Sequence, residues 1–140
     1  MGRINLKGVI IGGLVAGVVL NVFDSVLFGV VLRNDMAAAM QALNLPAMSN
    51  SVIPWYVFVD FLFGIALVWV YAAIRPRFGA GPATAVKAGL ISWVVFSVIR
   101  ALFDWPSGMM PHNLMVIVTA VALVKHPLAV VVGAKLYTEM

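Results

Sequence analysis

The chain has no cysteine and little charge, with 9 Lys and Arg against 5 Asp and Glu in 140 residues. The first absence excludes disulfides, thiolate metal sites and iron–sulfur clusters. The second is more informative. Charged residues make up 10% of the chain and apolar residues 64%, where soluble domains carry roughly 25% charge. A soluble fold of this size could not hide so much apolar surface, so lipid is the expected solvent. Sequence signatures of common enzymes are also missing. There is no HExxH, no phosphate loop, no dinucleotide fingerprint and no Ser/His/Asp arrangement, and Gly12-Gly13 lies inside an apolar run. The net charge of +4 is modest, and the basic residues flank apolar segments as topology signals do, so nucleic acid is not expected as a partner.

What is there reads as an all-α membrane protein. A helical span needs about 20 mostly apolar residues. Four stretches qualify, at about 8–32, 53–74, 83–103 and 113–136, within a single transmembrane domain covering 1–140. Arg3 and Lys7 ahead of the first run resemble a secretory signal. The run outlasts the roughly 7–15 apolar residues of such signals and lacks a small-x-small cleavage site, so a retained helix is expected. Met1-Gly2 opens like an acylation signal, but position 6 is Leu and that motif fails. Ser51 can cap the second span ahead of Pro54. Pro82 and Pro111 suit first helical turns, whereas Arg75-Pro76 and Trp105-Pro106 should stop the helices before them.

If the spans alternate, Arg3, Lys7, Arg75, Arg77, Lys87 and Lys135 fall on one side and Arg33 on the other. That bias puts both chain ends in the cytoplasm. Trp55, Tyr56, Trp69, Tyr71, Trp105 and Tyr137 lie near span ends, as interfacial anchors do. Between the first two spans, Met36, Met40 and Leu43 recur at helical spacing, which predicts a short amphipathic helix on the outer surface. The expected architecture is a four-helix up-down transmembrane bundle with that outer helix.

The glycine-rich first span, the segment Met36-Ala37-Ala38-Ala39-Met40-Gln41-Ala42-Leu43, and the stretch from Trp69-Val70-Tyr71 through Arg75-Pro76-Arg77-Phe78-Gly79-Ala80-Gly81-Pro82 together resemble a family of small bacterial four-span proteins. The likeness covers most of the chain and rests on packing and topology features. It implies a bacterial inner-membrane protein and carries no activity with it.

Gly8 with Gly12 and Gly13 with Gly17 form small-xxx-small pairs, which let helix backbones approach closely. They predict packing within the bundle or, alternatively, a homo-oligomer through the first span. The residues that apolar spans should not contain are Asp24, Asp60, Arg100, Lys125 and His126, with Asn21 one turn before Asp24. Each Asp, Lys or Arg near a span centre costs about 2.5–3.5 kcal/mol on the insertion scale, so they must be paired, solvated or neutral.

Depth, counted at about 1.5 Å per residue, places Asp24, Asp60 and Arg100 in the outer third of the bilayer. The expectation is an Asp24–Arg100–Asp60 cluster with Asp104 as an outer partner, or a register lock built from the same charges. Lys125 and His126 fall in a deeper layer, where Pro127 frees the carbonyl of Leu123 and Asn21 is the nearest polar group. His112, Met115, Thr119, Ala122, His126, Ala129 and Gly133 share a helical stripe, read as a polar or water-lined face.

The two histidines are 14 residues apart, about 21 Å along a helix, so they cannot share an ion. The outer methionines offer only a weak soft-metal set, and neither metal nor cofactor is expected. The function that fits best is a small channel or transporter-like bundle for protons, ions or a small polar solute. A second class is a non-catalytic accessory or scaffold subunit whose buried ion pairs lock the helices or dock a partner, and a homo-oligomer or a larger membrane complex is an open expectation in either case. Lipid or quinone binding is a third.

Overall fold

Apolar residues occupy nearly every position of four long segments, and such segments satisfy their backbone polar groups internally only as helices. The computed structural model describes residues 3–139, and Met1-Gly2 lies outside the described residues. α1 (Leu6–Val26) is continued by a π-helical turn, Leu27–Val31. The short α2 (Arg33–Ala42) follows, then α3 (Ile53–Phe78) and α4 (Pro82–Trp93). A second π turn, Val94–Val98, joins α4 to α5 (Ile99–Asp104), and α6 (His112–Ala134) ends the order. Four continuous helical stretches, Leu6–Val31, Asn50–Phe78, Pro82–Ser107 and His112–Ala134, are long and apolar enough to cross a membrane.

Two helix ends differ from expectation. The Ser49 side chain, and not that of Ser51, accepts the backbone N–H at the start of the turn before α3. Pro76 does not stop α3, which runs two residues further to Phe78. A proline in the last turn removes a single intrahelical bond, and Gly79, at φ 82°, closes the helix by donating its N–H to Arg75 O at 2.8 Å.

Small residues set how the helices meet. A Cβ on Gly12 would come within 2.5 Å of Gly133 O, and one on Gly17 within 2.5 Å of the Phe61 ring. Gly13 sits directly on the Ile65 backbone, and Gly89 on Pro127. α1 therefore runs opposite to both α3 and α6, and α4 runs opposite to α6. The glycines of α1 are consumed within the chain, Gly8 against Tyr137 included, which leaves none of these four for the alternative contact between copies. The core they enclose contains Val9, Ala16, Leu20, Leu67, Val68, Tyr71, Ala85, Ala129 and Val130.

The two chain ends meet here. Asn5 caps α1 by accepting the Gly8 N–H at 3.0 Å, its Nδ2 donates to Thr138 O at 2.9 Å, and its backbone N–H donates to the Tyr137 hydroxyl at 3.3 Å. Tyr71 and Tyr137, expected as interfacial anchors, are instead buried and packed edge to face at 5.9 Å. Their hydroxyls find backbone donors in Gly81 and Asn5, which is what a buried tyrosine requires. Trp55, Tyr56, Trp69 and Trp105 are exposed. α2 buries no residue fully, but Met36 and Ala39 rest on Leu27, Leu32 and Leu114.

Candidate functional site

Lys125 Nζ donates to Asp24 Oδ1 at 2.7 Å, joining α6 to α1. Both side chains are mostly buried, 12% and 23% exposed. Asp60 of α3 completes the group, lying near enough to feel the charges of both Asp24 and Lys125. Asn21, one turn below Asp24, donates to Gly17 O at 2.9 Å and reaches Val57 O at 3.4 Å. It thereby ties α1 to α3 immediately beside Asp60.

The partner of these carboxylates is thus Lys125, and not Arg100. Two geometric facts explain the correction. The antiparallel register that sets Gly12 on Gly133 and Gly8 on Tyr137 puts Asp24 level with Val121, one turn from Lys125. Side chains also lean toward the N-terminus of their own helix. On antiparallel helices they lean toward each other, so Asp24 and Lys125 close a gap that counting residues along the axis leaves open. Arg100 folds the other way, onto Asp104 of its own helix, with Nε to Oδ2 at 2.6 Å. That pair is open, its side chains 72% and 43% exposed.

The α6 stripe also differs from the sequence reading. Met115, Ala122, His126, Ala129 and Gly133 are buried against neighbouring helices, so most of that face is a packing seam and not a wet wall. Thr119 serves through its backbone, whose carbonyl accepts Trp93 Nε1–H at 2.8 Å. His126 lies edge-on to Phe63 at 5.0 Å, and Phe63 is also edge-on to Phe96 at 5.2 Å. Phe63, one turn beyond Asp60 on the same helix, forms an aromatic floor between the charged group and the glycine-packed core. At the far end His112 stacks on Trp105 at 3.9 Å with Nε2 2.9 Å from Trp105 O.

On the other side of the floor the molecule is open. No residue from Val94 to Asp104 is buried. Two grooves of about 350 and 370 Å³ flank this stretch. One is apolar, between Trp93, Trp105 and Met115, and the other carries Arg100, Ser97 and Asp104.

Ser92 escaped the sequence reading as a site residue. It is 1% exposed and its hydroxyl has no partner, as is also true of His126 Nδ1. Its place one turn after Gly89, on a face that must be packed, was the available signal. Comparisons with protein-family models, with curated proteins and with solved structures find no match to this chain.

Proposed function

We propose that the chain is a four-span up-down membrane protein whose Asp24–Asp60–Lys125 group binds a small cation, and that it acts as a small transporter. The charge count carries this reading. Lys125 neutralises Asp24, and a register lock needs nothing more, yet Asp60 adds a second carboxyl beside the pair. An unpaired charge inside an apolar span costs about 2.5–3.5 kcal/mol on the insertion scale. One further positive charge removes that cost, so the site has a built-in demand for a cation. Partial exposure of Asp24 gives it an approach from the side away from the core. The dense seam below argues for a carrier and against an open pore.

In this reading the basic residues place both chain ends in the cytoplasm and α2 on the outer surface of a bacterial inner membrane, in keeping with the family resemblance noted above. The test is flux in proteoliposomes under an imposed ion gradient. Asp60→Asn should leave the protein folded and abolish the flux, and undiminished flux in that variant would remove the proposal.

The second reading, an accessory subunit that docks a partner, is favoured by one observation, the open half of the third helix with its exposed Arg100–Asp104 pair. Loss of assembly on changing Arg100, with no flux in any variant, would select it.

A further inference from the structure

Pro127 lies inside α6 one residue beyond His126 and breaks its hydrogen-bond ladder there, while the helix itself runs on to Ala134. Lacking an N–H, Pro127 leaves the carbonyl of Leu123 without its helical donor. Around this break lie two more unsatisfied atoms, His126 Nδ1 and Ser92 Oγ, in side chains that are 2% and 1% exposed. They come from facing helices. Gly89 packs on Pro127 and on the carbonyl carbon of His126, and Trp93 bonds Thr119 O. Ser92 lies between those two contacts and is therefore level with the break. Each buried polar group without a partner costs about 1–3 kcal/mol, so a seam built only for packing would not gather both of these side chains.

The break adjoins the charged group. Lys125 precedes His126 and turns to α1, while Phe63 carries the Asp60 face of α3 onto the His126 ring. The titratable groups around His126 are Lys125 on its own helix, Asp24 on α1 and Asp60 on α3. α4 contributes only Lys87, which lies exposed over the Phe78 ring.

We propose that His126 with Ser92 forms a second proton site beneath the Asp24–Asp60–Lys125 group, and that the cation taken up there is the proton. The proposal rests on the cation-binding reading above and narrows it. A metal cation needs a shell of several oxygen ligands, and the break offers one hydroxyl, one imidazole nitrogen and one carbonyl. The close contacts of Gly12 on Gly133 and Gly89 on Pro127 leave no path for a hydrated ion. A proton needs only a lone pair at each stop, which an imidazole nitrogen and a hydroxyl supply. On uptake an O–H bond of a hydronium ion breaks to leave water and an N–H forms at His126 Nδ1, so that the imidazolium takes the positive charge.

The experiment is nuclear magnetic resonance of the full chain, labelled with ¹⁵N-histidine, in lipid bilayers. His112→Gln leaves His126 as the single signal. The ring nitrogens should pass between neutral and charged patterns within about pH 4–9, with the same midpoint in sodium and in choline chloride. Asp60→Asn should displace that midpoint by about one pH unit, and Ser92→Ala, which removes the nearby hydroxyl, should lower it by a smaller step. Ring signals constant across the range, a midpoint indifferent to Asp60, or one that follows sodium concentration would each overturn the proposal. A coupled titration without any flux in liposomes upholds the site and removes the transport reading. Flux with a silent His126 removes the site and leaves the transport reading in place.

Discussion

The two halves of the third long helix make opposite use of the same apolar character. Its first half, α4, buries Thr84, Ala85, Ala88, Gly89 and Ser92, while its second half, α5, buries nothing. The difference is side-chain size. Alanine, glycine and serine let α4 approach Pro127 at backbone distance, whereas the bulky Phe96, Leu102 and Phe103 of the second half stay exposed. The π turn at Val94–Val98 lies at the change-over, where the extra residue in the turn rotates the face that follows. Between such helices, smallness decides contact and apolarity alone does not.

The contrast can be broken from either side. Lys125→Met should cost the most, about 3–5 kcal/mol, because it strands two carboxyls in the packed region. Thermal unfolding in detergent reads this, and the double variant with Asp24→Asn should recover much of the loss. Gly13→Leu should follow at about 3 kcal/mol, since the new side chain meets the Ile65 backbone and not a movable side chain. Arg100→Ala, in the open half, should lose less than about 1 kcal/mol because its partner lies four residues on in the same helix and the pair stands outside the packed core. Leu102→Ala should be neutral to within about 0.5 kcal/mol. If Arg100→Ala or Leu102→Ala unfolds the protein as readily as Gly13→Leu, the open half is covered by another chain.

Much of this was legible in the residues. The four long helices and α2 follow from hydropathy and helical spacing, with ends displaced by a few residues where Pro76 was tolerated. The close contacts of Gly8, Gly12, Gly13 and Gly17 follow from their spacing. Pairing was less accessible. Depth along an axis ignores the lean of side chains, so it matches Asp24 with Arg100 and sets the Lys125 layer too far away. Arg100 had an equally good partner four residues on, and local pairs within one helix compete with any contact between helices. The His112-to-Gly133 stripe suggests a wet face because it lacks bulky aliphatics, yet small residues serve a dry seam equally well.

The depth of Asp60 has an electrical consequence. It lies seven residues into α3, about 10 Å along the helix. In a bilayer core of about 30 Å, a cation moving from water to that carboxyl crosses roughly a third of the membrane potential, about 0.8 kcal/mol per 100 mV. Under the proposed cation binding, occupancy at a half-filled site should therefore change about fourfold in its bound-to-free ratio for each 100 mV, and the membrane voltage itself would act as a ligand of this group.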